Sequence, residues 1–299
     1  RLEATPQYAP GRPYSELKVP PEVHAILATA AGISETGIPK VPYVHQCHAL
    51  ESFIGEGRNL IVATGPGSGK TESFLMPILA SMALEASQRA RTWGQPAMRA
   101  LLLYPMNALV NDQLARLRRV FADPTVSDAL RGGNPRRARF GMYTSRTPYP
   151  GQATPAKDRD RVVAELKKLY FDEMTDEYKT RLKKEGKWPA KDLDSFIGSG
   201  LTTSPHDAEL LTRHEMQATS PDLLVTNYSM LEYMMLRPLE ASIFEQTKSW
   251  LHACPDNFLT IVLDEAHMYR GSGGAEVAYL LRRLQSRLQV PRDRIRHIL

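Results

Sequence analysis

Short apolar runs alternate with amphipathic stretches along this chain of 299 residues. Each run is closed by a polar or glycine turn, which is typical of buried parallel strands. The predicted strands are residues 60–64, 100–104, 140–144, 223–227 and 259–264, with a sixth beginning at 295–299. Apolar residues at helical spacing predict helices at 72–90, 107–121 and 275–288. The alternation predicts an α/β fold with a doubly wound, mostly parallel sheet that binds ligands at the carboxyl ends of its strands.

Two parts of the chain interrupt this alternation. Residues 1–40 are punctuated by prolines, with one helical stretch, and we interpret them as an N-terminal arm in front of a main domain at 41–299. Residues 150–218 contain no strong strand, and 157–194 hold 11 Lys/Arg against 10 Asp/Glu. Apolar residues recur there at helical spacing, namely Val163, Leu166, Tyr170, Met174, Tyr178 and Leu182. This predicts a charged helical insertion, and its balanced charge favours a packed decoration over a nucleic-acid or partner contact.

Composition narrows the class of protein. Hydrophobic residues make up 42% and charged residues 24%, as in ordinary globular proteins. No run of 18 or more apolar residues occurs, and no signal-peptide core follows Arg1, so we expect no membrane partner. The two cysteines, Cys47 and Cys254, indicate a reducing, cytoplasmic location. The net charge of +5 permits a polyanionic partner without demanding one.

A glycine-rich loop, ATGPGSGKT at residues 63–71, follows the first apolar run. Backbone N–H groups in such a loop and the positive end of the following helix can surround phosphate oxygens. Lys70 would reach the β- and γ-phosphates, and Thr71 would offer its hydroxyl to Mg²⁺. The residues predicted to hold ATP here are Thr64 (at the usual first glycine position), Gly65, Gly67, Ser68, Gly69, Lys70 and Thr71. A flexible turn before an ordinary helix is the alternative.

Two adjacent acids end the run at 259–264. Asp264 is predicted to hold Mg²⁺, and Glu265 to orient or deprotonate an attacking water. Such a pair is common after strands, but its place downstream of the glycine loop predicts ATP hydrolysis. The prediction requires Lys70 and Asp264, which are 194 positions apart, to meet around one magnesium-bound triphosphate.

Five segments occur in order along the chain: YVHQ at 43–46, the loop at 63–71, YPMNALVNDQ at 104–113, TNYSML at 226–231 and DEAH at 264–267. This series resembles the first RecA-like domain of superfamily 2 DExH helicases, of the DEAH type, over about residues 40–299. The sequences of these motifs are similar to those of the Lhr/YprA-like bacterial DNA helicases and of helicase subunits in the DISARM and Druantia phage-defence systems. The resemblance implies a RecA-like P-loop fold and an ATP-dependent DNA helicase or translocase. It also implies partners: single-stranded or partly duplex DNA and a defence-complex protein.

Gln46 has the amide geometry that can pair with two edge atoms of adenine. Tyr43 lies nearby in the sequence as a candidate stacking face, and the resemblance places Gln46 in the adenine-reading position. A metal cluster at 45–48 is the competing interpretation, but no second ligand pair lies at zinc-like spacing. The resemblance also implies that His267 couples the nucleotide site to the nucleic-acid site or to the second domain. A structural histidine is the alternative.

The nucleic-acid strand is expected at the strand ends, where the turn before residue 107 opens a helix whose N–H groups can bind phosphates. The resemblance assigns this motif and the turn at 226–228 to backbone contacts. Residues 113–146 hold eight arginines, two aspartates and no lysine, which makes this the clearly basic region of the chain. The predicted contacts are Pro105, Asn107, Arg118, Arg119, Arg146, Thr226, Asn227 and Arg270. Solvated arginines and a plain core role for Tyr228 are the alternatives.

The chain stops before the Ser-Ala-Thr motif and the second RecA-like domain that the resemblance implies. We therefore expect one lobe of a larger motor, which by itself binds weakly and turns ATP over poorly. Three other functions stay open: a P-loop switch or kinase acting on a small molecule, a nucleic-acid-binding scaffold with an inactive P-loop, and a duplex translocase without unwinding activity.

Overall fold

The computed structural model describes residues 8–65, 67–148, 157–171 and 175–299. Within these ranges six strands form one sheet in the order β3-β2-β4-β1-β5-β6, with every neighbouring pair parallel. The strands are β1 (Ala100–Tyr104), β2 (Phe140–Tyr143), β3 (Glu209–Leu210), β4 (Leu223–Asn227), β5 (Leu259–Leu263) and β6 (Ile295–Ile298). The predicted α/β architecture is confirmed.

Helices cover both faces of this sheet. In chain order they are α1 (Pro21–Gly32), α2 (Val44–Leu50), α3 (Lys70–Gln88), α4 (Ala90–Trp93), α5 (Asn107–Phe121), α6 (Pro124–Ala129), α7 (Lys157–Tyr170), α8 (Asp176–Lys184), α9 (Leu193–Gly198), α10 (Arg213–Ala218), α11 (Tyr228–Leu236), α12 (Ala241–Ala253) and α13 (Gly271–Leu288). None of the helices in the described ranges is long and apolar enough to cross a membrane.

Side-chain alternation along the central strands divides the core into two layers. Leu102 and Tyr104 pack into the layer that includes α1, α3 and α5, whereas Leu101 and Leu103 pack into the layer of α11, α12 and α13. Every residue of β1 and β5 is buried. Continuous apolar strands of this kind are expected where helices cover both faces of a parallel sheet.

The predicted strand at 60–64 forms only in part. Leu60 makes an isolated parallel bridge with Ile298, and the Val62 N–H donates to the Leu299 carbonyl at 2.7 Å. Beyond Val62 the chain turns away into the glycine loop, so the ladder stops there. Ile61 lies at this outer edge and is 82% exposed.

Residues 8–40, interpreted from the sequence as an arm, pack against the main domain. Val23, Ile26 and Leu27 of α1 are buried in the same core as α3. The Tyr14 hydroxyl donates to the Pro39 carbonyl at 2.7 Å, which closes this segment on itself. The described part of the segment therefore contributes to one face of the sheet.

The stretch predicted to be a helical insertion contains α7 to α10, and it also supplies the short edge strand β3, which no sequence pattern predicted. Val162, Leu166 and Phe196 form a small core of its own. From the predicted apolar stripe, Leu182 is buried and Tyr178 is exposed, while Met174 lies outside the described residues.

A buried ionic network centres on Arg99 at the amino ends of the strands. Its guanidinium donates to Glu85 of α3 at 2.7 Å and to Asp222, next to β4, at 2.6 Å. The same group lies between two indole rings, 4.8 Å from the centroid of Trp93 and 4.9 Å from that of Trp250. Trp250 of α12 in turn donates to Glu85 at 2.7 Å. The network thereby connects helices from opposite layers across the edge of the sheet.

Replacing Arg99 by methionine should lower the free energy of unfolding by about 3–5 kcal/mol, because Glu85 would stay buried without its cation. Denaturant titration followed by circular dichroism measures this loss. The matched control is Arg58→Met, since Arg58 is exposed and pairs with Glu56 at 2.9 Å on the surface. That variant should lose less than about 1 kcal/mol. Similar losses in the two variants would contradict the structural role of the network.

Candidate nucleotide and nucleic-acid site

The central strands deliver three polar segments to one edge of the sheet. Leu103 of β1 is in register with Thr226 of β4 and with Leu263 of β5. The residues at or just after these positions therefore emerge side by side, including Asn227 and Asp264. In open α/β sheets, ligands bind in the crevice at this carboxyl edge.

The glycine loop reaches the same edge and ends at the first turn of α3. Gly67 and Gly69 have φ values of 74° and 73°, a region that residues with a Cβ rarely adopt. Lys70 opens α3, whose first N–H groups have no partner within the helix. A 2.7 Å hydrogen bond between the hydroxyls of Thr64 and Ser68 closes the loop on itself.

Lys70 and Asp264 line one cavity of about 280 Å³, together with Glu265 and His267. Lys70 enters it from the start of α3, and the two acids enter it from the end of β5. The structure therefore brings together the two residues on which the ATP prediction depends.

Asp264 carries a carboxyl group that is costly to ionise in the free protein. Burial is the largest effect and raises the pKa of Asp264 above its ordinary value, and the Glu265 carboxylate adds to the rise. Three groups act in the opposite direction and lower the pKa: the N–H of Glu265, which donates to Asp264 Oδ1 at 2.9 Å, and the cations of Lys70 and Arg116. A hard cation, which prefers oxygen ligands, would offset the free-energy cost of ionising this carboxyl group. Asp264 thus fits Mg²⁺, which it would hold together with the hydroxyl of Thr71, the second residue of α3, and which would neutralise phosphate charge there.

Glu265 has a left-handed backbone, with φ 50° and ψ 43°. For a residue with a Cβ this conformation costs about 1–2 kcal/mol. Such strain persists at functional sites when the surroundings enforce it. The Glu265 carboxylate lies 3.1 Å from Nδ1 of His267 and is 36% exposed, so it remains accessible from the cavity.

Gln46 connects the first motif to the phosphate loop. Its Oε1 accepts from the Tyr43 N–H at 2.9 Å, and its Nε2 donates to the Gly69 carbonyl at 3.0 Å. His45 adds a 3.0 Å hydrogen bond between its Nε2 and the Ser68 carbonyl. Gln46 is only 1% exposed, so both hydrogen bonds lie inside the fold, and its contact with a base stays a prediction.

Tyr8 also lies at this site, although no sequence pattern pointed to it. Its ring centroid is 5.7 Å from that of Tyr43 and 5.5 Å from that of His45. Its hydroxyl lies against Gly65, where an added Cβ would meet it at 2.9 Å. The packing of residues 8–40 brings this ring to the loop, and that is a long-range effect without a local signal.

A second depression, of about 760 Å³, lies at the same edge of the sheet and includes three of the predicted strand contacts, Pro105, Asn107 and Asn227. Asn227 donates to Asn107 Oδ1 at 2.7 Å, which links the ends of β1 and β4. Its own Oδ1 accepts from the Met230 N–H at 2.8 Å and caps α11. This depression is called the strand groove below.

Two predicted strand contacts have a different environment. Thr226 is fully buried, and its hydroxyl donates to the Tyr143 carbonyl at 2.5 Å. Arg118 pairs with Glu209 at 2.7 Å, and its side chain is only 11% exposed. Both side chains are used inside the fold, because burial has given each an internal partner, and neither lines the strand groove.

Most of the basic region is paired in the same way. The partners are Glu72 for Arg116, Glu209 for Arg118, Asp128 for Arg131, Asp222 for Arg136, the His206 carbonyl for Arg137 and the Ser204 carbonyl for Arg139. Arg146, next to the groove residue Ser145, is exposed, and so is Arg270. Arg119 is half-buried on α5. Arg146, Arg270 and Arg119 therefore stay predicted phosphate contacts.

Comparison with known proteins agrees with the ordered motifs. Residues 43–175 match the family model of the DEAD/DEAH box helicases. The chain is 50% identical over 326 aligned positions to the Druantia protein DruE of Escherichia coli (strain UMEA 4076-1), covering 100% of this chain and 18% of that protein. It is 22% identical over 255 residues to the uncharacterized ATP-dependent helicase YprA of Bacillus subtilis (strain 168), covering 85% of this chain and 22% of that protein.

The fold agrees with that of a solved helicase. The crystal structure of the DUF1998 helicase MrfA bound to DNA and AMPPNP aligns with a TM-score of 0.52 and 21% identity, over 99% of this chain and 27% of that one. The match of residues 43–175 to the DEAD/DEAH box helicase model and the RecA-like fold shared with MrfA confirm the resemblance seen in the motifs. It spans about a fifth of the length of the relatives DruE and YprA, at 18% and 22%.

Replacing Asp264 by asparagine should stabilise the ligand-free protein at neutral pH. Because the pKa is raised in the folded state, an ionised Asp264 destabilises the folded protein once the pH exceeds that pKa. The neutral amide of asparagine causes no such destabilisation. The advantage should shrink as the pH falls and vanish below about pH 4, where an unfolded-state aspartate is also protonated. Melting temperatures at several pH values measure this. The exposed Asp256→Asn is the matched control and should show no such trend.

Proposed function

We propose that this chain is the ATP-binding lobe of a DNA helicase or translocase motor. The observation that carries the proposal is that Lys70 of the glycine loop and Asp264 of the acid pair share one cavity at the carboxyl edge of the sheet. The DEAD/DEAH match at 43–175 supports a motor over a small-molecule kinase or switch.

The polar residues of the cavity, the glycine loop and the first motif then have distinct parts in binding and hydrolysis. Lys70 and the loop N–H groups hold the β- and γ-phosphates, and Thr71 with Asp264 holds Mg²⁺. Glu265, accessible and beside His267, orients the attacking water and accepts its proton. Gln46 and Tyr43 contact the base. Since Gln46 is bonded to Gly69, base binding and the shape of the phosphate loop are coupled.

DNA is the proposed nucleic acid, and the strand groove is its proposed site. The MrfA crystal structure has DNA and AMPPNP bound to a helicase of the same fold, which supports both kinds of ligand for this chain. The 50% identity to a Druantia protein across the whole chain supports a role in antiviral defence, with other proteins of such a system as partners. The free cysteines Cys47 and Cys254 support a cytoplasmic setting.

The nucleotide site is tested by comparing Lys70→Ala with Glu265→Gln. Loss of the Lys70 charge should weaken Mg²⁺-dependent binding of a fluorescent ATP analogue by about tenfold or more, since a charged hydrogen bond contributes about 1.5–3 kcal/mol. Glu265→Gln should leave that binding within about threefold of the wild type, because its carboxylate acts on water rather than on phosphate, and should remove the residual ATP hydrolysis. Equal losses of binding in both variants would argue against these roles.

The strand site is tested with fluorescent oligo(dT) at several salt concentrations. The wild-type chain should bind with an affinity that falls as salt rises, and Arg146→Gln should reduce the slope of log affinity against log salt by about 0.7, the value for one phosphate contact to a single strand. Arg58→Gln serves as the control, because Arg58 is an exposed arginine that precedes the Leu60 bridge, at the amino edge. An unchanged slope in Arg146→Gln would remove this residue from the interface.

A further inference from the structure

We propose that Arg213, in the insertion, holds a backbone phosphate of the bound nucleic-acid strand at the floor of the strand groove. This inference rests on the proposed function, and it assigns the insertion a direct part in the interface. Neither the ordered motifs nor the basic region at 113–146 includes Arg213.

Arg213 is buried at the groove, and no carboxylate in the described ranges pairs with it. It is the first residue of α10, is only 3% exposed, and lines the groove together with Asn107 and Asn227. Its Nη2 donates to the Thr144 carbonyl at 2.8 Å, and its guanidinium lies 5.0 Å from the ring centroid of Tyr143. Its Nε is buried and has no hydrogen-bond partner within the described part of the chain.

Other strongly buried cations in this fold have carboxylate partners. Arg99 pairs with Glu85 and Asp222, and Lys191 pairs with Asp207 at 2.6 Å. Among the described residues no ion pair involves Arg213. A buried charge is costly unless it is paired, so this position is unusual unless an anion from outside completes it.

Two acids of neighbouring segments have other cationic partners. Glu215 pairs with Lys191 at 2.8 Å and closes the capping box of α10 with Thr212. Glu240 accepts from the Tyr143 hydroxyl at 2.6 Å and lies 3.3 Å from Arg237, both through Oε1, while its buried Oε2 has no hydrogen-bond partner in the described ranges. The start of α10 is also a poor place for a cation, because the helix dipole is positive there. These contacts leave Arg213 without an ion pair in the described ranges, and a phosphate in the groove would supply one.

A phosphodiester fits this position better than a base edge does. The guanidinium is planar and matches phosphate oxygens with two parallel N–H groups. The ends of β1 and β4 supply neutral amides from Asn107 and Asn227, which can position a strand without adding charge. Arg213 would then supply positive charge at the groove floor, while Arg146 lies exposed beside it.

The experiment is an oligo(dT) titration of Arg213→Gln and Arg213→Lys between about 50 and 200 mM salt, with the wild type and Arg58→Gln alongside. The glutamine variant should bind about 5–20-fold more weakly and lose about 0.7 of the salt slope, whereas the lysine variant should keep the slope. Binding of the ATP analogue should be unchanged in both. A glutamine variant with weaker binding but the wild-type slope would show that Arg213 only supports the turn at Thr144, which overturns the proposal.

A measurement on the wild-type protein keeps the test independent of how the variants fold. The Nε–H of Arg213 should give a protected side-chain NMR signal, which is assigned by its absence from the Arg213→Lys spectrum. This signal should shift when oligo(dT) binds, and a signal that stays in place under saturation overturns the proposal. If the wild type binds no oligo(dT) at any salt concentration, the proposed function itself fails, which is a separate outcome.

Discussion

The parallel register of β1, β4 and β5 is the constraint on which the candidate site depends. The three strands run in one direction, so segments far apart in sequence end at one edge of the sheet. A slip of one residue would exchange the faces of a strand and place the apolar side chains of β5 in the wrong layer. The two helix layers therefore fix the register of β5, and the pairing of β6 with β5 and with Leu60 places Lys70 where it meets Asp264.

The two edges of the sheet differ in how their charges are balanced. At the amino edge, Arg99, Glu85 and Asp222 satisfy one another in the interior. At the carboxyl edge, burial keeps the pKa of Asp264 above its ordinary value, and Arg213 has no acid partner among the described residues. The central cation at the amino edge is thus paired with two acids, whereas Asp264 and Arg213 at the carboxyl edge have no such ion pair among the described residues. Binding sites commonly keep such destabilising groups because ligands complete them.

Local signals in the sequence were sufficient for the strands and for the chemistry at their ends. The strands at 100–104 and 223–227 and the helix at 107–121 have the predicted bounds, because each is a short segment with a clear apolar pattern. Side-chain partners required the tertiary structure. Arg118 looked like a free cation, yet it pairs with Glu209, 91 positions away. Tyr8 and Arg213 had no motif around them, so only packing could place them at the site.

The reversal of backbone hand at Glu265 has a consequence for the geometry of the acid pair. In a strand that continued straight, consecutive side chains would point to opposite faces, and one of the two acids would be lost into a helix layer. Asp264 and Glu265 instead border one cavity. The two neighbouring carboxylates can therefore have different roles in the same cavity. The residue at position 265 consequently needs a side chain that can accept a proton and a backbone that tolerates the left-handed conformation, and few of the twenty amino acids have both properties.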